Sequence, residues 1–379
     1  MRNTPEGLYS VKGSNFEAIE LPVIRDVRGK EYMQFGNDNL FPQEIIGLYD
    51  TSAMNHTCID AIKDGIVGEG IEQWGEEYIN ADGETINEVF NNIALDYSIF
   101  GGYALNLIWN KEGTRIAEIY HLPFANVRSG KPDDEDKVNT YYYCSDWAKS
   151  RKNKPVEYRA FSVTDTKGDD ASQIYYCKNY TPGNEVYPLP AWIAGMSDVQ
   201  LDAKISRFHV NNVSNGLAPS MFVQFRNGIP NPEERRDIYR EIEDTFTGEE
   251  NAGRFFLAFS EPGKELEVTP IENANTDLYA TLEARITSRI LTAHRITSPL
   301  LLGVHANGSG FSSNAEEIIT AYSHFMNTVV LPKQKKILRT FGYILNLYGL
   351  NVNLEIVPVP MLVGTEADDP AIQENITID

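Results

Sequence analysis

Residues 294–332 read HRITSPLLLGVHANGSGFSSNAEEIITAYSHFMNTVVLP, and this stretch decides the fold. A helical stripe leads into it. Leu278, Leu282, Ile286 and Ile290 recur every four residues, with Glu283, Arg285 and Arg289 largely off the stripe. That helix is predicted to end near Thr297-Ser298-Pro299. GVHANGSGFSSN has no period and reads as a loop. Ser313 and Glu316 then make a capping-box pattern. A long helical pattern follows through Ile318, Tyr322, Phe325, Val329, Ile337, Phe341 and Leu345 to Gly349. Pro332 sits inside it, removes a backbone donor, and is predicted to kink or divide it.

Outward from this plan, residues 1–40 read as irregular. Ile45, Ile46, Tyr49, Ala53, Cys58, Ile59 and Ile62 then set a helical period that Asp64-Gly65 and Gly68-Glu69-Gly70 break. A second helix is predicted over Ile86 to Ile99, closed by Gly101-Gly102. From Tyr103 the period falls to two, and Lys111-Glu112-Gly113 turns a hairpin into Ile116–Leu122. Further strands are predicted at Asn139–Cys144, Pro155–Ser162 and Gln173–Asn179. The tyrosines crowded there (Tyr141, Tyr142, Tyr143, Tyr175, Tyr176) read as sheet face rather than a binding platform. Residues 188–216 carry a weak helical pattern. Met221–Phe225 and Arg254–Phe259 read as strands around a helix capped by Asn231 with Pro232 at its first position. Glu265–Pro270 and Asn351–Pro358 are predicted strands, and Glu366–Asp379 a loose acidic tail.

Composition bounds the function. With 42% hydrophobic and 23% charged residues the chain is globular and not of the disordered class. No stretch approaches the roughly 18 apolar residues of a membrane span. The polar, Pro- and Gly-interrupted opening lacks a secretory signal's apolar middle. A soluble protein made in the cytoplasm is expected, with no membrane partner. Cys58, Cys144 and Cys177 are sparse and far apart, as free thiols in a reducing compartment would be. The net charge of −21 argues against tight, neutralising contact with nucleic acid. It leaves open a wall past which DNA slides.

The catalytic templates fail. GVHANGSG lacks the GK[ST] ending of a phosphate loop, and GIVGEGIE follows a helix where a dinucleotide site needs a strand. There is no GxSxG, HExxH or HRD. His294 and His305 are the nearest histidines but make a poor metal pair, and Asp133–Asp136 reads as a solvated loop before a cation site. No catalytic, cofactor or metal residue is assigned. One catalytic alternative stays open: a hydrolase with a β-rich cleft over 100–180 and acid/base carboxylates such as Asp96 or Glu118.

Taken together, the helix ending in His294, Arg295, Ile296, Pro299, Leu300, Leu301 and Gly303, then the loop, then Ser313, Asn314, Glu316, Glu317, Phe325, Leu331 and Pro332, resembles the portal proteins of tailed bacteriophages. LDYSIFGGYALNLIW (95–109), Arg115–Val127 and ENAGRFFL (250–257) resemble further steps of that family in the same order. The resemblance spans roughly residues 40–360, carried by order and spacing more than by any one motif.

The resemblance implies an α+β, portal-like subunit of a dodecameric ring at one capsid vertex of a virion, serving DNA packaging and ejection. Residues 1–187 would form a β-rich wing, 188–216 and 275–297 two stem helices, and 217–274 a small α/β clip. Residues 298–312 would be the tunnel loop and 313–350 the long kinked wing helix. Residues 351–379 would supply a short strand and tail, with the family's crown minimal or absent. The DNA-facing loop residues would be His305, Asn307, Gly308, Ser309, Gly310 and Phe311. Glu283, Arg285 and Arg289 would line the channel. Arg235, Arg236, Glu249 and Glu250 would meet neck, adaptor or terminase proteins at the clip. Implied partners are further copies of the chain, double-stranded DNA passing without sequence recognition, the major capsid protein, the terminase large subunit and a neck/adaptor protein. A different ring-forming neck or connector component is the alternative.

Overall fold

The computed structural model describes residues 21–167, 171–214, 221–225, 255–259, 276–303, 315–350 and 352–359, with single positions 231, 233, 234, 236 and 237. The fold is mixed α+β. A hairpin of β1 (Ile24–Asp26) and β2 (Met33–Phe35) comes first, where the sequence pattern predicted irregular chain. These strands are three residues each, too short for alternation to register.

Helices α1 (Phe41–Thr51) and α2 (Ala53–Val67) follow where the pattern read as one helix; α2 runs through Asp64-Gly65 and stops at Gly68, where the predicted Gly68-Glu69-Gly70 break begins. The two helices are divided at Ser52, which is extended (φ −99°, ψ 107°) and accepts from the Asn55 N–H to cap α2. Gly65 stays helical because α2 packs close to a later helix there; an added β-carbon would lie 2.9 Å from Val330 Cγ2. Helix α3 (Ile86–Phe100) opens with a capping box between Thr85 and Glu88 and ends at Gly101 in the left-handed region.

Six strands form one sheet: β3 (Gly102–Trp109), β4 (Ile116–Leu122), β5 (Val127–Ser129), β6 (Thr140–Tyr143), β7 (Val156–Ala160) and β8 (Ser172–Lys178). Their order is β4-β3-β8-β7-β6-β5, antiparallel except β7 against β8. β3 lies between two long antiparallel neighbours, pairing Leu105 with both His121 and Tyr175. Its Tyr103, Ala104, Leu105 and Leu107 are fully buried. That explains a strand apolar on both faces.

Val89, Phe90, Ile93 and Tyr97 of α3 bury against this sheet and against the C-terminal helix, where Phe90 stacks on Phe341 at 6.1 Å. Each such side chain contributes about 1.5–3 kcal/mol by leaving water. The tyrosines form a sheet face: Tyr176 stacks between Phe124 (5.2 Å) and Tyr141 (4.9 Å).

Beyond the sheet come α4 (Met196–Ser214), the parallel pair β9 (Met221–Phe225) and β10 (Phe255–Phe259), and α5 (Thr276–His294). The predicted helix 188–216 therefore begins only at Met196; Pro188 and Pro190 lack the N–H a helix needs, and the chain after them passes through a turn and the 3-10 segment Ile193–Gly195. Asn231 caps as expected: its Oδ1 accepts from the Glu233 and Glu234 N–H groups, and Glu234 Oε2 accepts from the Asn231 N–H. Glu265–Pro270 lies outside the described residues.

The last helical run is α6 (Ala315–Phe325), a π-helical segment Met326–Val330, and α7 (Leu331–Tyr348). Pro332 stands in the first turn of α7. Its ring has no N–H to give Thr328, and the wider π turn just before it accommodates the missing bond. Thr328 Oγ1 donates to His324 O at 2.7 Å and Asn327 Nδ2 to Ser323 O at 2.8 Å, so side chains re-satisfy the loosened ladder. The strand predicted at 351–358 is instead an extended segment with an isolated bridge, Ile71 to Ile356.

Candidate functional site: a helix pair and the turn at its foot

Helices α4 and α5 pack side by side and dock on α2. Their shared seam is apolar: Val199 and Ala203 from α4, Ile286, Ile290 and Leu291 from α5, all buried. The approach is close at one end, where a β-carbon on Gly195 would sit 2.6 Å from the Ala293 Cβ. Two polar contacts bridge the helices. Arg289 Nε lies 3.0 Å from Asp198 Oδ2, and His209 Nε2 lies 3.0 Å from Glu283 Oε1. Glu283 and Arg289 are thus exposed but engaged with α4, while Arg285 is exposed on the same helix. Sequence reasoning placed these residues on the polar side of the stripe. It missed Asp198 and His209, because a pairing across two helices has no local period.

At the foot of α5 the chain turns through Arg295, a left-handed residue (φ 61°), with Ile296 N–H bonded to Leu291 O at 2.9 Å. This is a Schellman-type stop with arginine where glycine is usual, held by the buried Ile296. Ser298 then accepts from Leu300 N–H and caps the 3-10 turn Pro299–Leu302, which ends at left-handed Gly303. Ile296, Leu301, Leu302, Tyr322, Phe325 and Met326 line a groove of about 290 Å³ between this turn, α2 and α6. The predicted loop residues His305, Asn307, Gly308, Ser309, Gly310 and Phe311, with Ser313 and Asn314, lie outside the described residues, as do Arg235, Glu249 and Glu250. Arg236 is described, helical and exposed.

A polar cluster underpins the turn. His294 is 4% exposed, stacks on Trp192 at 5.9 Å and meets Asn55 Oδ1 through Nε2 at 2.8 Å. Burial, with the Lys333 ammonium nearby, lowers its pKa to about 3, so the imidazole is neutral at pH 7. Burial and the Arg295 charge lower Lys333 to about 8. His294 is therefore a core residue fixing α5 to α2.

The carboxylates of the catalytic alternative are engaged structurally. Asp96 Oδ2 accepts from the Phe124 N–H at 3.0 Å and meets His121 Nε2 at 2.7 Å, tying α3 to the end of β4. Glu118 accepts from Tyr120 Oη at 2.6 Å. Among the described residues no group of three His, Cys, Asp or Glu side chains gathers as metal ligands, and no helix is long and apolar enough to cross a membrane.

No family model matches the chain. An uncharacterised protein of Rickettsia bellii (strain RML369-C) is 26% identical over 233 residues, 61% of this chain and 54% of the relative. The match thus spans about half the relative's length. Among solved structures, a chain in the virion of a native gene transfer agent (GTA) particle is similar with a TM-score of 0.54 and 18% identity, covering 84% of each chain. A chain in the neck of the native GTA particle, computed with C12 symmetry, gives 0.53 at 18% identity, covering 88% of this chain and 86% of that one. A chain in the neck of the empty particle, computed with C6 symmetry, gives 0.52 at 17% identity, covering 83% and 84%. The fold is that of these particle chains.

Proposed function

We propose that the chain is the portal subunit of a phage-like particle, forming the ring through which DNA enters and leaves one capsid vertex. The likeness of fold to GTA virion and neck chains over more than four-fifths of both chains is the observation that supports this most. In this reading residues 1–187 are the wing, α4 and α5 the stem, 217–274 the clip, 298–312 the tunnel loop and 313–350 the long wing helix. The role is mechanical and non-catalytic. The exposed side of α5, with Arg285 and the paired Glu283 and Arg289, faces the channel, and the net charge of −21 per subunit keeps DNA from adhering to the wall. A twelvefold ring fits the C12 and C6 symmetries of the neighbouring particle structures. The capsid protein would hold the wing; the terminase large subunit and then neck/adaptor proteins would meet the clip. A ring elsewhere in the neck is the second reading, favoured by the neck origin of two of the neighbours; terminase binding by the purified protein separates the two.

Electron microscopy of the purified chain at micromolar concentration provides the test. Closed rings with a central hole are expected. A monodisperse monomer under all salt conditions would remove the proposal.

A further inference from the structure

Two surfaces in the N-terminal unit are unexplained by the site described above, and they complement each other. The first is the turn between β6 and β7. It carries Lys149, Arg151, Lys152 and Lys154, all exposed, in a chain of net charge −21. Only Lys149 has an acidic partner among the described residues, Asp146 at 3.2 Å. The turn is firmly built. Trp147 is 4% exposed and donates through Nε1 to Asn126 O at 3.0 Å. Asp146 Oδ1 accepts from the Ala148 and Lys149 N–H groups, and Lys149 O accepts from the Lys152 and Asn153 N–H groups. Arg151, Lys152 and Lys154 thus stand on a rigid base without an acidic partner among the described residues.

The second surface is the segment Glu72-Gln73-Trp74-Gly75-Glu76-Glu77-Tyr78 beside β4. Trp74 is 45% exposed and Tyr78 69%, among Glu72, Glu76, Glu77 and Asp82, all exposed. No Lys or Arg occurs between Lys63 and Lys111. This segment is also fixed. Asn87 donates its N–H to Gly75 O and its amide to Glu76 Oε1, and its Oδ1 accepts from the Ile71 N–H, each at 2.9 Å. Ile119 N–H bonds Ile79 O, tying the segment to β4. Trp74 is held at φ 71°, a conformation that costs a non-glycine residue about 1–3 kcal/mol. Gly75 is required behind it, because a β-carbon would collide with Asn87 and the Ile71 carbonyl. An aromatic pair kept in water at a conformational cost, ringed by carboxylates, has the composition of a binding hot spot for cations.

Strand order keeps the two surfaces apart within one subunit. β3 and β8 lie between β4 and the β7–β6 pair, so the surfaces are roughly 15–20 Å apart across the sheet. We infer that the Lys149–Lys154 turn of one copy docks on the Glu72–Tyr78 segment of the next copy, with a cation over Trp74 or Tyr78 and the others against the carboxylates. Two different, complementary faces on one chain are what a head-to-tail contact that closes into a ring requires. The inference rests on the ring reading above and supplies the recognition chemistry between its subunits.

The test uses the full chain and mass photometry over a salt series. Arg151→Glu/Lys152→Glu/Lys154→Glu should raise the concentration for half-assembly by roughly tenfold or more. Trp74→Ala should do so as well. Combining the triple reversal with Glu72→Lys/Glu77→Lys/Asp82→Lys should restore assembly, which a misfolded variant could not do. Rings that form equally well in the triple variant would overturn this inference and leave the ring reading intact. Loss only of double-stranded DNA binding in that variant would overturn it in favour of a nucleic-acid surface. A wild-type chain that never assembles would overturn both.

Discussion

Replacing Arg128 by methionine tests how the N-terminal unit is held together. Arg128 lies on β5 with 0% of its surface exposed. Nε donates to Asn39 Oδ1 at 2.8 Å, Nη1 to the carbonyls of Ala125 (2.8 Å) and Val127 (2.9 Å), and Nη2 to Asn39 O (2.7 Å) and Gln43 Oε1 (3.2 Å). The guanidinium carbon sits 4.8 Å from the Trp147 ring centre. Burial lowers its pKa to about 10, which still leaves it charged at neutral pH. No carboxylate balances it among the described residues; carbonyl oxygens do. In Arg128→Met, Asn39 Oδ1 keeps its bond from the Phe35 N–H and Ala125 O keeps the Gln43 amide. Val127 O, Asn39 O and Gln43 Oε1 lose their donor. Three stranded acceptors cost about 1–3 kcal/mol each. Relief of the buried charge offsets part of that, so a net loss of about 3 kcal/mol is expected. If the N-terminal unit melts cooperatively, calorimetry should show a midpoint lower by roughly 6–12 °C. Arg128→Lys should recover less than half, because a tetrahedral ammonium cannot reach a coplanar set of acceptors. A methionine variant melting within about 1 °C of the parent would refute the reasoning; the network would then be no better than a well-packed hydrophobe.

Two further outcomes follow from the foot of the helix pair. His294 has a folded pKa lowered to about 3 from 6.5, so the unfolded chain binds the extra proton between those values. Stability is complete above pH 6.5 and falls as pH drops below it, by about 2 kcal/mol between pH 7.5 and 5. Denaturant midpoints across that range should show the loss, and His294→Gln, which keeps a donor for Asn55, should flatten it; an equal slope in both proteins would clear His294 of the effect. At the helix crossing, Gly195→Ala forces a β-carbon to within 2.6 Å of Ala293 and should cost about 1–3 kcal/mol. Ala293→Gly in the same chain should recover most of it, and no recovery in the thermal midpoint would mean the strain lies elsewhere.

Elements with strong local signals were readable from the sequence. The alternation of Tyr103–Trp109, the glycine stop at Gly101-Gly102, the Asn231 cap and the Leu282–Ile290 stripe each depend on neighbours within a few residues, and each is present. Even the effect of Pro332 was legible, because a missing N–H acts locally; its resolution as a π turn was not, since that depends on side chains of the preceding turn and on packing at Gly65. The short hairpin β1–β2 and strand β5 escaped because three residues cannot establish a period.

By itself, then, the sequence determined the order of helices and strands, the negative charge and the absence of a familiar catalytic motif, all of which are written in spacing and composition. Only tertiary structure decided which polar residues meet. Arg128 finds its acceptors in Asn39 and Gln43 more than eighty positions away, Asp96 finds His121 across a sheet edge, and Glu283 and Arg289 find His209 and Asp198 on another helix. Such contacts link residues distant along the chain, and they form only when the apolar faces have been brought together. The exposed Trp74 and Tyr78 belong to the same class: their types are evident from the sequence, but only the fold, which buries Ile71, Gly75 and Ile79 beneath them, leaves the two rings in water.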